Sequence, residues 1–267
     1  MSNPRSPANS DFIKFLGTAG ARIVVAKQLR SSAGTYMSIS GTRVILDPGP
    51  GTLVRCASSK PRIEGADIDG IILTHRHIDH STDVNVMIEC MTEGGFKKRG
   101  VLFAPEQCLS GDDPVVLRYV RAFLDDIVVL KAHAEYSLGS LTFHTRGLHK
   151  HPVETYGLSF ESHMGKISFI IDTEFFPELI EWYSGSAVLV MNVVRLKPHG
   201  SGDVMHLCLD DARKLITSIK PSRAIITHLG MSMLRAKPWE LAEELKEETG
   251  VDVIAATDGK MIELNGS

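Results

Sequence analysis

Four apolar, β-branched-rich runs in this chain each end on a side chain that can bind metal or move a proton. Val44-Ile-Leu46 runs into Asp47, Gly70-Ile-Ile-Leu-Thr74 into His75, Lys166-Ile-Ser-Phe-Ile-Ile171 into Asp172, and Arg223-Ala-Ile-Ile-Thr227 into His228. Short, unbroken apolar runs are the pattern of strands buried on both faces. Open α/β sheets bind their ligands just beyond the carboxyl ends of such strands. One run ending this way decides nothing, but four together predict a mixed α/β sandwich with a polar site at its strand ends.

Helices are predicted between these strands. Residues 83–93 follow Ser81-Thr82, either of which can cap a helix, and Gly94-Gly95 stop it. Residues 114–124 read as a second helix. Residues 209–219 place Ala212, Leu215, Ile216 and Ile219 on one face, and Pro221 ends them. Residues 239–249 start behind Pro238, a good first-turn residue, and stop at Gly250. Further strands are expected at 127–130, 141–145, 157–161 and 188–191, with 251–255 and 260–264 as a closing pair joined through Asp258-Gly259. With no short repeat and no Pro/Ser-rich linker, residues 11–267 are expected to form a single domain. Residues 93–126 are expected as an elaboration inserted after the segment that follows Thr74, and residues 1–10 as a disordered leader.

The 267 residues are 43% hydrophobic and 23% charged, enough apolar material for a sizeable core. A formal charge of −3 argues against a protein that coats nucleic acid. The four cysteines form no CxxC pair, which speaks against a disulfide scaffold and a thiolate zinc site. The N-terminus has no apolar core of a signal peptide, and no run reaches the ~18 apolar residues of a membrane span. A cytoplasmic protein with no membrane partner is expected.

His75-Arg76-His77-Ile78-Asp79-His80 packs four potential ligands into six residues. Imidazole and carboxylate together suit zinc, and manganese or iron accept the same set. His75 and His77 can grip one ion while Asp79 and His80 face a second. Six residues cannot complete two coordination shells, so His149, His151, Asp172, His199, His206 and His228 are candidates for the rest. His149 and His151 lie two apart and can point the same way from an extended segment. Asp172 has oxygens suited to bridging two ions about 3.5–4 Å apart. His133, His144 and His163 are expected at the surface or behind the ligands.

His75-x-His77-x-Asp79-His80 resembles the signature of the metallo-β-lactamase superfamily, and the other candidates follow in that family's order. The resemblance implies a four-layer αββα fold and two metal ions. On it, His75, His77 and His151 hold one ion, Asp79, His80 and His228 the other, and Asp172 bridges them. Asp47 resembles the family's acid that supports the metal loop without binding metal.

Within the superfamily the chain is most similar to the branch of ribonuclease Z and the cyclic-phosphate phosphodiesterases. Phe15-Leu-Gly-Thr18 resembles that branch's opening strand and turn, and His151-Pro-Val-Glu-Thr-Tyr-Gly157 its motif around the third histidine. His206, ahead of the 209–219 helix, resembles a histidine that contacts the scissile phosphate. The branch implies a phosphodiesterase in which a hydroxide bridging two zinc ions attacks phosphorus. Asp79 and His206 are then the catalytic participants. Asp79 orients ligands through its second oxygen, and His206 stabilises the phosphoryl oxygens or protonates the leaving oxygen. The absence of a Gly/Pro-rich arm and of a basic stripe argues against tRNA and for a small or short diester. Thioester, lactone or lactam hydrolysis and a non-catalytic metal scaffold stand as rival readings, and the family suggests a homodimer.

Overall fold

The computed structural model describes residues 11–20, 22–32, 34–198 and 205–264. The expected leader and His199 lie outside the described residues. In chain order the strands are β1 (Phe12–Phe15), β2 (Thr35–Ile39), β3 (Thr42–Leu46), β4 (Gly70–Ile72), β5 (Val101–Ala104), β6 (Asp126–Val129), β7 (Glu135–Leu138) and β8 (Leu141–Leu148). They continue as β9 (Tyr156–Phe160), β10 (Lys166–Ile170), β11 (Ser186–Arg195), β12 (Leu207–Cys208), β13 (Arg223–Thr227), β14 (Asp252–Ala255) and β15 (Met261–Glu263). One sheet has the order β15-β1-β2-β3-β4-β5-β6 and the other β14-β13-β11-β10-β9-β8-β7, with β12 added beside β11.

Each sheet has a parallel half, β3 to β6 in the first and β14 to β10 in the second. Parallel strands need both faces covered, which explains their unbroken apolar sequences. Side chains alternate accordingly. Val44 and Leu46 of β3 and Ile225 of β13 enter the core between the sheets with Phe143, Phe160 and Phe169. Ile45 faces outward into a layer with Val84, Met87 and Ile88 of helix Val84–Met91. Ala224 and Ile226 face outward against Leu215, Ile216 and Leu245. Helices thus cover the outer face of each sheet, giving the expected four-layer αββα sandwich.

Helix Leu209–Ile219 runs over the residues its periodicity predicts. Asp211 accepts from the Cys208 amide at its start, and Lys220 adopts left-handed backbone at its end. Helix Pro238–Thr249 begins on its proline and stops at Gly250, with φ of 72°.

Three expectations differ from the structure. Residues 251–255 and 260–264 are not a pair: β14 joins β13 in the second sheet and β15 joins β1 in the first. A turn at Asp258-Gly259 suits a hairpin, but here it carries the chain from one sheet to the other. The helix expected at 114–124 shrinks to Arg118–Arg121. Val116 is buried, and its amide and that of Val115 bond the Cys108 carbonyl while the Arg121 guanidinium takes the Val116 carbonyl. Those tertiary bonds hold residues 115–116 out of the helix. Finally, residues 93–126 include β5, which pairs with β4 inside the sheet.

Candidate metal centre

The parallel strands of both sheets deliver their carboxyl ends to one place. β3 ends before Asp47, and the chain after β4 reaches His75 through Leu73-Thr74. β10 leads to Asp172, β11 carries Asn192, and β13 ends before His228. His151 arrives from the β8–β9 connection and His206 from just before β12.

Asp47 and His228 both have left-handed backbone, with φ of 50° and 57°. Such backbone in a non-glycine residue costs roughly 1–3 kcal/mol and clusters at functional sites. At His228 it is held by the Leu229 amide on the Thr18 carbonyl at 2.8 Å and the Gly20 amide on the Leu229 carbonyl at 3.1 Å. Gly20 is required there, since a Cβ would sit 1.9 Å from the His228 carbonyl oxygen.

Among the described residues three groups of side chains lie close enough to hold an ion, one of them Asp47, His75 and His80; the other two share no residue. His75, His77 and His151 form one, and Asp79, His80 and His228 the other, with ligand atoms within 4.8 Å of one another in each. Asp172 Oδ2 lies between them, 3.9 Å from His75 Nε2, 3.5 Å from His80 Nε2 and 3.4 Å from His228 Nε2. Asp79 Oδ2 is 3.8 Å from His80 Nε2 and 3.6 Å from His228 Nε2. These separations exceed hydrogen-bond length.

The chemistry of the donor set fits divalent ions. His75 Nε2, His80 Nε2 and His228 Nε2 are buried and have no hydrogen-bond partner. A buried, unpartnered polar atom is costly unless something else satisfies it. Three such nitrogens aimed at carboxylates are satisfied together by cations with bonds of about 2.0–2.2 Å.

The opposite ring nitrogens are held in place. Asp47 Oδ1 accepts from the Thr74 amide at 2.7 Å, and its Oδ2 accepts from Thr74 Oγ1 at 2.7 Å and His80 Nδ1 at 3.0 Å. Both of its oxygens thus accept hydrogen bonds, although Asp47 also lies within reach of His75 and His80 as a group that could hold an ion. Because Thr74 Oγ1 donates to Asp47, it is left to accept from His75 Nδ1 at 3.0 Å. Both His75 and His80 therefore carry their proton on Nδ1 and present Nε2 to the centre. Asn192 Nδ2 donates to Asp172 Oδ1 at 2.8 Å, which leaves Oδ2 facing the histidines.

Burial lowers the pKa of His75 far below the usual imidazole value and that of His151 to about 4. Burial opposes ionisation of Asp172 too, but the imidazoles of His228, His206 and His80 outweigh it and hold its carboxyl well below the carboxylate range. At His80 the carboxylates of Asp172, Asp79 and Asp47 outweigh burial and push its pKa well up. The same field attracts a metal cation.

His206 Nδ1 is also buried without a hydrogen-bond partner, 3.6 Å from Asp172 Oδ2. Its ring lies beside that of His151, with centroids 5.1 Å apart and the planes tilted by 58°. His149 turns away from the cluster: it is buried and shares a 2.7 Å hydrogen bond with the Tyr183 hydroxyl. Of the two, His151 is the one brought to His75 and His77, its Nε2 lying 3.0 Å from His77 Nδ1. His144 lies near Glu135 and Glu161, His163 pairs with Asp11, and His133 packs on Trp182. Thr74 and Asn192 were missed by the sequence reading. Asn192 is a polar residue inside the apolar run of β11, and Thr74 follows the end of β4, but neither position by itself reveals its partner.

Residues 42–229 match the beta-lactamase superfamily domain. The chain belongs to the beta-lactamase superfamily. An uncharacterised protein of Methanocaldococcus jannaschii is 33% identical over 259 residues, covering 94% of each chain. A ribonuclease Z of Methanopyrus kandleri is 40% identical over 68 residues, 26% of this chain and 23% of that one. The crystal structure of a diphosphatase of the PhnP family superposes with a TM-score of 0.72 at 20% identity, covering 94% of this chain and 97% of that one. Superfamily membership makes the protein a hydrolase of the metallo-β-lactamase fold, which implies divalent metal binding at the His/Asp cluster. No helix among the described residues is long and apolar enough to cross a membrane.

Proposed function

We propose that the protein is a phosphodiesterase of small or short diesters that works with two zinc ions, Mn2+ or Fe2+ being the substitutes its ligands accept. The observation that carries this reading is His206. It lies beside Asp172 and His151 with an unpartnered ring nitrogen, so the centre has one imidazole beyond the seven side chains assigned to the two ions. The match to a ribonuclease Z and the likeness to a diphosphatase support the same substrate class. Reduced cysteines support a cytoplasmic setting.

In this assignment His75, His77 and His151 would hold one ion and Asp79, His80 and His228 the second, with Asp172 placed to serve both. Bound divalent ions supply Lewis acidity toward the phosphoryl oxygens and make a coordinated water far more acidic. Asp47 and Thr74 keep the His75 and His80 rings turned inward, and Asn192 keeps Asp172 Oδ2 on the metal side. Asp79, whose Oδ2 lies 3.8 Å from His80 Nε2 and 3.6 Å from His228 Nε2, would help to hold the second ion and to orient those two rings. His206 offers an N–H donor at the edge of the centre, where charge builds on the phosphoryl or leaving oxygen.

The test is a panel of bis(p-nitrophenyl) phosphate, a cyclic nucleotide, S-lactoylglutathione and nitrocefin on metal-loaded protein, with the chelated protein as control. Turnover of a diester that disappears on chelation is expected. His206→Ala should keep its metal content and lose roughly 10²-fold or more in kcat. Preferential turnover of S-lactoylglutathione or nitrocefin would establish carbonyl chemistry instead. A metal-loaded protein inert toward all four would favour a scaffold.

A further inference from the structure

A second polar cavity lies on the helix-covered face of the first sheet. It has a volume of about 210 Å³ and sits between β1, the end of helix Thr52–Ser58 and the turn at Gly259. Its charged lining is Lys14, Arg55 and Lys60, with Ser58 and Ser59 beside them and no acidic residue. The volume is several times the ~30 Å³ share of one water, room enough for a small polyatomic ion.

Lys14 is 93% buried, being 7% exposed, and its Nζ donates to the Lys60 carbonyl at 3.2 Å. Arg55 Nε donates to the Leu16 carbonyl at 3.0 Å. Among the described residues, neither forms an ion pair with a carboxylate, although the surface elsewhere pairs its arginines freely, as in Arg213 with Asp210 and Glu248. Burial, with the Arg55 charge adding to it, pulls the Lys14 ammonium below its usual range. Buried charges are ordinarily paired or coordinated. An ammonium and a guanidinium fork on one cavity, with a third cation at its rim, suit a dianion, and a phosphate group can take the fork in two-point fashion.

We propose that this cavity is a second anion site, separate from the metal centre, which takes the phosphate group of a small ligand. The competing account makes Lys14 only a staple that holds the Lys60 carbonyl at the end of helix Thr52–Ser58.

The test is calorimetric titration of the metal-loaded protein with inorganic phosphate and, in a parallel arm, with adenosine monophosphate. Tighter binding in the second arm identifies a phosphate ester as the ligand, and equal or tighter binding of inorganic phosphate identifies the free ion. Lys14→Met and Arg55→Gln should each weaken one class of binding site roughly tenfold or more, the loss expected from removing a charge-assisted contact. Metal content and diester turnover should stay unchanged in both variants. Lys14→Met should also abolish the phosphate-dependent rise in Tm seen in wild type. Arg55→Gln, half-buried on a helix, serves if the strand variant does not fold. Titrations of both variants indistinguishable from wild type would overturn the proposal. So would a fall in Tm for Lys14→Met together with unchanged phosphate binding by Arg55→Gln, the result the staple account requires.

Discussion

Asn192 orients the carboxylate that the proposed assignment places between two ions. It holds Asp172 Oδ1 at 2.8 Å from within β11, whose parallel pairing with β10 brings the two residues together. Replacing it with alanine leaves a buried carboxylate oxygen without its donor and the carboxylate free to rotate. Asn192→Ala should lower metal affinity by about 10–100-fold, the usual cost of losing such an outer partner. A competition titration with a chromogenic chelator measures this, and unchanged affinity would remove the orienting role. Asp172 and His228 were legible in the sequence because each terminates an apolar run. Asn192 was not, because its importance rests on a strand neighbour 20 residues earlier. Thr74 was legible only as the last residue before His75, while its bonds to Asp47 depend on β3 pairing with β4.

Elements with strong local signals stand where the sequence placed them, and those governed by distant contacts do not. Helix Leu209–Ile219 has both a period and end signals, so its bounds could be read directly. Residues 114–124 have helical composition, but Val116 is drawn into the core and the helix forms only at Arg118–Arg121. The separation of β14 from β15 could not be read either, since a turn sequence does not reveal which sheet receives each strand. The helix Leu209–Ile219 also allows stability and metal binding to be separated. Ile216 is fully buried against the second sheet, in a layer distinct from the metal ligands. Ile216→Ala should cost about 2–5 kcal/mol of stability, as large-to-small core changes do. Thermal melts should show a lower Tm while the metal content of the folded protein stays unchanged. Loss of metal in the folded state would mean that the outer layer and the centre are more tightly coupled than their packing indicates.

At the scale of the molecule, the centre joins the two sheets. Asp47 and the residues from His75 to His80 come from the first, and His151, Asp172, His206 and His228 from the second. Each sheet has its own helix layer, and they share the apolar core containing Phe143, Phe160 and Phe169. That core should keep the fold without metal, whereas bound ions add stability by favouring the native state, by about 4 kcal/mol at a thousandfold excess over Kd. Chelation should therefore lower Tm without changing the far-ultraviolet circular dichroism at room temperature. An unaltered Tm would show that the cluster holds no ion tightly. The account depends most on Asp172 as the residue common to both ions, and elemental analysis of metal-loaded wild type beside Asp172→Ala tests it most directly. About two equivalents of divalent metal are predicted for the wild type, with at least one lost in the variant; two equivalents retained by Asp172→Ala would contradict the account.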